Sequence, residues 1–440
     1  MERVKETLYT GIDVGTTKVA TMVARVSPTG TVDVIALGHA TSLGMKKGMV
    51  VSPEELSTSV HESVGDARAM LGRKLPAAYV GVTGRHLVCE NTGVSIIQPD
   101  NKGQLITRKH LEKIAKSSTS YTPSHRRVLH VIPQQYRVDG LTEIRNPVGL
   151  TGKQLEAQSH VIVGDAWPME SLVRVIRSAN VKVHALVAEH LASAEAVLTT
   201  DERESGVILV DIGGGTSDVA VFKDGVVVHT AAIPVAGYQF SNDISLGLGL
   251  PLSAAEEVKV KHGSALVDGI KPAATIEVPF GSEDSPRQIQ LLALNNLLRE
   301  RSIELVRLIM HTAREAGMDR MPPAGIVYTG GSSNLPGLAD VTKEYAQCAV
   351  RIGSPTSNLG LPRELEHTTF ATGVGLLLWG IRNKHHQPFN ASITISQQVM
   401  ERVKGWFSSF SRRQAPELQV EKKQIFHTQP AMAASPRHKA

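Results

Sequence analysis

The chain has 440 residues, 41% of them hydrophobic, 20% charged and only 4% aromatic, which predicts roughly two to four compact units with ample core and excludes a disordered or fibrous protein. Its formal net charge is a mild +5, unevenly spread: residues 401–440 are richer in Lys and Arg than in Glu, which points to an anionic surface, membrane or nucleic acid, as partner. Two cysteines, Cys89 and Cys348, are too few for a disulfide scaffold and lack metal-ligand spacing, so a reducing cytosol is expected. The start, MERVKETLYTG, carries no apolar secretion core. The longest apolar runs, such as VGLLLWGI at 374–381, are far shorter than the roughly 20 residues that span a bilayer.

Residues 8–40 read as a β-meander: alternation in TKVATMVARV, a Pro-Thr-Gly turn at 28–30, and a return strand in TVDVIALGHA. From Ser52 the period becomes helical, with Ser52 as predicted N-cap, Glu55 three residues on, and Leu56, Val60 and Val64 at helical spacing. AAYVGVTG at 77–84 is a strand ending in glycine. Residues 85–163 read as a separate αβ unit: a strand at 86–97, a helix from Thr107 to about Ser117, the strand pair RVLHVIPQQYRVDG, the loop NPVGLTG and the strand LEAQSHVIVG. A helix is predicted over 168–179, the strand VHALVAEH over 183–190 and a helix over 191–198. VILVDIGGGTSDVAVF at 207–222 is a pair of strands around three glycines. LSAAEEVKVKHG at 252–263 is a helix with an N-cap serine and a glycine stop, and 264–286 reads as a loop or hairpin. A long helix is predicted over about 288–316, followed by the strand AGIVYTGG, and TFATGVGLLLWG at 369–380 is a late apolar helix.

Phosphate is bound where backbone N–H groups approach it closely, and glycine removes the Cβ that would block them. A β-hairpin with a turn of glycine and hydroxyl residues therefore makes an anion clamp, and an aspartate ending its first strand can hold Mg²⁺ through water. The order occurs twice, as Asp13-Val14-Gly15-Thr16-Thr17 and as Asp211-Ile212-Gly213-Gly214-Gly215-Thr216. One such segment is equally a tight structural turn; two imply duplicated halves facing one another across a cleft. Neither is a GxxxxGK[ST] or GxGxxG loop, and both lead into a second strand, which excludes Walker and Rossmann phosphate sites. A third segment, YTGGSSNLPGL at 328–338, pairs a strand end with a Gly-Gly that admits a flat ring.

The two hairpins, the Gly-Gly-…-Pro-Gly segment and the helices at LASAEAVL and FATGVGLL resemble the actin–DnaK–sugar-kinase superfamily. GIDVGTTKV, LHVIPQQYRVDG, NPVGLTGKQLEA, EHLASAEAVLT, LVDIGGGTSDVAVFKDG, AAEEVKVKHG and GIVYTGGSSNLPGL narrow the resemblance, over roughly residues 9–380, to the FtsA family of actin-like bacterial division proteins. The resemblance implies an α/β fold of duplicated actin-like, ribonuclease H-like domains around a nucleotide cleft, with the FtsA-type small αβ subdomain at 85–163. The first domain would comprise 1–84, 164–204 and 361–382. The second would comprise 205–245 and 318–360, with a small subdomain at 246–317. Asp13 and Asp211 would position Mg²⁺; Gly15, Thr16, Thr17 and Lys18 would form the first phosphate hairpin, and Gly213, Gly214, Gly215 and Thr216 the second. Glu256 and Lys259, on one helix face, would hold the ribose of ATP, or else form an ordinary exposed ion pair. Gly330, Gly331 and Asn334 would line the adenine slot. His190 stands where the family commonly has Pro, near the domain hinge. For hydrolysis Glu189 is the nearest candidate to orient water, and ATP binding with slow or negligible turnover is expected.

After a polar linker at 383–396, QQVMERVKGWFSSFSRR at 397–413 places Val399, Met400, Val403, Trp406, Phe407 and Phe410 on one helical face. Arg402, Lys404, Arg412 and Arg413 lie on the other, the pattern of an interfacial membrane helix or of a helix docked on the protein's own core. Interfacial burial at roughly 1 kcal/mol per apolar side chain, and about as much per basic residue near anionic lipid, predicts reversible binding that polymerisation strengthens. The family's membrane-targeting helix sits here; the basic tail at 414–440, expected without fixed structure, has no assigned role. The resemblance implies a protein peripheral to the cytoplasmic side of the cell membrane at the division site. Its expected partners are itself, anionic lipid, the C-terminal tail of tubulin-like FtsZ and other division proteins, with no nucleic acid. Arg299, Arg301 and Arg307 offer cations to that tail or form a solvated face. The alternatives are a PilM-type pilus-assembly actin homologue and an enzyme or chaperone of the superfamily, though no β-rich peptide-binding domain follows the ATPase-like part.

Overall fold

The computed structural model describes residues 6–28, 30–97, 103–119, 122–278, 287–356, 361–383 and 420–421. The predicted linker from 384, the amphipathic helix at 397–413 and the rest of the tail lie outside the described residues. Among the described residues, one compact unit gathers those up to Cys89, Thr122–His130 and 162–383; a smaller one gathers those of Glu90–Tyr121 and Val131–Val161, with 420–421.

In chain order the principal elements begin with β1 (Thr7–Val14), β2 (Lys18–Val26), β3 (Val32–Thr41), α1 (Pro53–Leu71) and β4 (Ala78–Val82). Then follow β5 (Leu87–Ile97), α2 (Arg108–Ser118), β6 (Arg126–Val138), β7 (Leu141–Ile144) and β8 (Gln154–Asp165). The chain continues through α3 (Ala166–Ser178), β9 (Val183–Ala188), α4 (Glu189–Val197), β10 (Val207–Ile212), β11 (Ser217–Lys223) and β12 (Val226–Ile233). It closes with α5 (Gly237–Leu248), α6 (Leu252–His262), β13 (Thr275–Val278), β14 (Arg287–Gln290), α7 (Leu291–Glu315), β15 (Ile326–Thr329), α8 (Leu338–Ala346), β16 (Val350–Ile352) and α9 (Ala371–Arg382).

The larger unit holds two five-stranded sheets, ordered β9-β4-β1-β2-β3 and β12-β11-β10-β15-β16. In each, the first three strands in chain order form an antiparallel meander, the fourth joins the first in parallel, and the fifth joins the fourth in parallel. The two halves therefore repeat one topology. Every residue of VILVDI in β10 is buried, as a central strand covered on both faces requires. The first core sets Ile12, Val19 and Val80 against Val60 of α1 and Leu172 and Ile176 of α3. The second sets Ile208, Val210 and Val219 against Phe240 and Ile244 of α5 and Val306 and Ile309 of α7. Helices α4 and α9 pack backbone to backbone, since a Cβ on Gly375 would fall on the Ala192 carbonyl oxygen.

In the smaller unit the sheet runs β7-β6-β8-β5 and shares with α2 a core of Val94, Ile96, Ile106, Ile114, Tyr136 and Leu155. Residues 122–130, inside the predicted 85–163 segment, pack with the larger unit, where the His130 ring nitrogen Nε2 accepts from the Ala188 amide at 3.0 Å.

Three element boundaries differ from expectation. Glu189 and His190 open α4 instead of ending β9. Pro251, not a serine, occupies the N-cap of α6, and Ser253 lies inside its first turn. The residues before Leu291 are a strand rather than helix, because Ile289, 4% exposed, pairs with Ile276 in the β13–β14 hairpin. Ser52 flanks α1 as predicted but makes no side-chain cap bond.

Candidate functional site

Each half opens into one cleft through the same turn. The Gly15 amide donates to the Lys18 carbonyl at 2.9 Å, and the Gly213 amide donates to the Thr216 carbonyl at 3.0 Å. Asp13 and Asp211 stand two residues before these glycines, paired across their hairpins with Ala20 and Asp218. The turns face one another closely: a Cβ on Gly214 would lie 2.5 Å from Thr17 Cγ2, and one on Gly215 2.6 Å from Thr16 Oγ1. Gly330 follows β15 with φ +85°, and a Cβ there would strike the Asp211 carboxylate and lie 2.6 Å from the Ile212 carbonyl oxygen. That position needs glycine both for its backbone and for its neighbours.

Carboxyl groups crowd the end of the cleft at the two hairpin turns. Asp211 Oδ2 accepts from the hydroxyls of Ser193 and, at 3.0 Å, Thr372. Asp218 accepts from Thr83 at 2.5 Å and from Thr216 at 3.2 Å. The Lys18 ammonium donates to the Thr369 carbonyl and lies 3.9 Å from the centre of the Phe370 ring. Burial raises Asp13 to about 6, with Lys18 opposing and Asp211 adding to the shift. Burial raises Asp218 to about 7, moderated by its hydrogen bond from Thr83. Asp211 is raised by burial against the pull of its hydroxyl donors. Glu189 is pushed well above the usual carboxylate range by burial and by the charges of Asp13, Asp218 and Asp211. Its Oε1 has no hydrogen-bond partner among the described residues. Burial lowers Lys18, while Asp13 and Asp211 pull it back up.

The other end of the cleft is built on α5 and α6. Lys259 Nζ donates to Glu256 at 2.8 Å, to the Gly237 carbonyl at 3.0 Å and to Ser241 Oγ at 2.9 Å. With its side chain only 12% exposed, Lys259 is no ordinary surface partner. Asn334 Nδ2 donates to Thr368 Oγ1 at 2.8 Å and to the Gly331 carbonyl at 3.2 Å. Tyr238, Leu252 and Val260 expose apolar surface on the same wall.

All of Asp13, Gly15, Thr16, Thr17, Lys18, Glu189, Asp211, Gly213, Gly214, Gly215, Thr216, Glu256, Lys259, Gly330, Gly331 and Asn334 line this single cleft of about 770 Å³. Sequence reasoning missed Thr83, Ser193, Asp218, Thr369 and Thr372. Asp218 was visible in the TSDV that follows the glycines, but the first hairpin has Ala20 at that register and so repeats no signal. His190 is buried beside Glu189 at the start of α4. Of the arginines considered for an acidic partner, Arg299 already donates to Glu344 at 2.7 Å and Arg301 to Asp243 at 2.5 and 2.8 Å.

Two sheets of one topology, each sending an Asp-Gly hairpin into a shared cleft, define an actin-like protein. A family model described as "Cell division protein FtsA" matches residues 208–375, and one described as "SHS2 domain inserted in FTSA" matches residues 84–163. The chain is 35% identical over 408 residues to the cell division protein FtsA of Pseudomonas aeruginosa, covering 91% of this chain and 97% of that one. Against the Escherichia coli K12 protein of the same name, identity is again 35%, covering 91% of this chain and 95% of the relative. The chain belongs to the FtsA family of actin-like cell division proteins. Among solved structures, a PilM–PilN type IV pilus biogenesis complex superposes with a TM-score of 0.63 at 16% identity, covering 85% of this chain and 98% of that one. MreB5 of Spiroplasma citri bound to ADP does so at 0.52 and 15%, covering 86% and 98%. These likenesses are of fold; the PilM alternative is a structural neighbour, and the identity to FtsA decides the family.

Proposed function

We propose that the cleft binds ATP with Mg²⁺ and that the nucleotide fixes a conformation able to polymerise on the cytoplasmic face of the cell membrane. The observation that carries the reading is the pair of equivalent hairpin turns meeting across one cleft. Their amides and hydroxyls would grip the phosphates. Glu256 and Lys259 would take the ribose, and Gly330, Gly331 and Asn334 would take the adenine beside the apolar wall of Tyr238, Leu252 and Val260. The donor set fits Mg²⁺. Burial raises both Asp13 and Asp211, and the Asp211 charge adds to the shift at Asp13, so phosphate anions would enter favourably only with a cation that neutralises the two carboxyls. Asp13 and Asp211 would hold Mg²⁺ through water. Mg²⁺ would neutralise phosphate charge. Glu189, pushed above the usual carboxylate range by burial and by the charges of Asp13, Asp218 and Asp211, would be the nearest group to orient water, with slow turnover expected.

In this reading 397–413 lays its apolar face in the membrane, neighbouring copies add avidity, and the assembly tethers FtsZ by its C-terminal tail and recruits other division proteins. Calorimetry tests the cleft: Asp211→Ala and Gly214→Val should each abolish Mg-ATP binding, and unchanged affinity in both would sink the assignment. Co-sedimentation with anionic vesicles, with and without FtsZ, tests the tether; no dependence of FtsZ recovery on this protein would count against it.

A further inference from the structure

Two segments of the first half bring cations together with no carboxylate among them. Residues 67–77, from the last turn of α1 towards β4, carry Arg68, Arg73 and Lys74; residues 171–184, from α3 into β9, carry Arg174, Arg177 and Lys182; neither contains Asp or Glu. Arg68 joins the two segments by donating to the Ala179 carbonyl at 3.0 Å. The Ala78 amide, opening β4, donates to the Lys182 carbonyl at 2.7 Å. Arg73, Lys74, Arg174, Arg177 and Lys182 are exposed, and their side chains have no hydrogen-bond or ion-pair partner among the described residues. Met70, between Arg68 and Arg73, is 63% exposed. We infer that this basic rim is a second membrane contact, which meets anionic lipid headgroups while the helix at 397–413 supplies the apolar anchor. The inference rests on the membrane reading proposed above.

Helix ends account for only part of this charge. Arg177 lies in the last turn of α3, where a cation suits the negative end of the helix dipole. Lys74 and Lys182 lie beyond both helices, and cations without counter-charges gain most from an anionic surface. The chain leaves the described body beside them. Helix α9 ends at Arg382, and a Cβ on Gly380 would lie 2.5 Å from the ring of Tyr79, the neighbour in β4 of Ala78. Residues 384–396 can extend by at most about 3.5 Å each, so a lipid-bound residue 397 keeps this exit within about 45 Å of the bilayer. A tether that short turns the weak attraction between headgroups and exposed cations into an intramolecular step. Each basic residue near an anionic leaflet contributes about fivefold in affinity, screened by salt beyond a Debye length. An exposed methionine among cations suits the interface, where the apolar side chain sinks and the charges stay with phosphate. The tether favours lipid over an acidic polypeptide, because it holds lipid alongside.

Co-sedimentation of the full chain with vesicles tests the rim. Arg73→Gln with Lys74→Gln and Lys182→Gln should weaken binding to phosphatidylcholine vesicles containing phosphatidylglycerol by at least about tenfold at low salt. Binding to phosphatidylcholine alone and Mg-ATP affinity should stay unchanged, and parent and variant should converge at high salt. Independently, in a chain carrying Cys89→Ser and Cys348→Ser, a fluorophore attached at Met70→Cys should be quenched by headgroup-labelled lipid. Equal affinity of variant and parent for the anionic vesicles, an equal loss on both vesicle types, or no quenching at position 70 in a chain that pellets would each overturn the inference. Lost binding to polyglutamate with parental binding to anionic vesicles would assign the rim to an acidic polypeptide and overturn it as well. Failure of the tether reading looks different: Trp406→Glu with Phe407→Glu would then pellet like the parent, whatever the rim variant does.

Discussion

Asp218 sits between two hydroxyl donors at the floor of the cleft, and its proton affinity follows from burial more than from either donor. The folded chain holds this proton up to about pH 7, whereas the unfolded chain releases it near 3.8. Between those values the folded state binds more protons, so this group's contribution falls as pH rises, and above about 7 the penalty is constant. Asn keeps the shape without the charge. Without nucleotide or Mg²⁺, Asp218→Asn should therefore gain on the parent between pH 4 and 8 by on the order of 1–4 kcal/mol. Urea unfolding at the two ends of that range measures it, and parallel pH profiles would show that Asp218 is ionised throughout.

At the scale of elements, α4 and α9 deliver Ser193 and Thr372 to the same Asp211 oxygen. Their approach depends on Gly375, where any Cβ meets the Ala192 carbonyl. Gly375→Val should cost roughly 1–3 kcal/mol or more and weaken nucleotide binding by moving both donors. Gly65, inside α1, has no packing neighbour within 4 Å of where a Cβ would stand among the described residues. Gly65→Ala should therefore stabilise by roughly 0.5–1 kcal/mol. Denaturation midpoints that move in the same direction for both variants would contradict this packing. The predicted helix at 397–413 is tested separately, by Trp406→Glu with Phe407→Glu. Two carboxylates at the centre of its apolar face should leave Mg-ATP binding intact while the protein stays in the supernatant with anionic vesicles. Aggregation or lost nucleotide affinity would assign the helix to the core, and a pellet equal to the parent's would place the anchor elsewhere.

For the whole molecule, the smaller unit draws on the segments Glu90–Tyr121 and Val131–Val161, which are divided by a stretch that belongs to the larger one. Replacing both segments with short linkers while retaining 122–130 should leave nucleotide binding unchanged and abolish filaments in electron microscopy, if this unit supplies a filament contact. Removing 85–163 outright should also unfold the larger unit, because it takes His130 from the Ala188 amide and Leu129 from the first core. Filaments that persist in the linker variant would move the contact elsewhere.

Local order was legible because it is written in short-range patterns. Alternation marked the meander at 8–40, an apolar run ending in aspartate marked VILVDI, and the repeated Asp-Gly-hydroxyl order marked both turns. The glycines at 330 and 331 were legible for the same reason, since a backbone that must approach something closely discards its side chains. What only the tertiary structure decided depends on residues distant in sequence. Nothing near Ser193 or Thr372 foretells a shared hydrogen bond to Asp211, and Asp218 gains its proton affinity from burial and from Thr83, 135 positions away. Likewise 122–130 reads as part of the inserted segment, yet it packs with the larger unit. Pattern specifies which backbone each segment prefers; burial, and with it charge, is set by whatever the fold brings alongside.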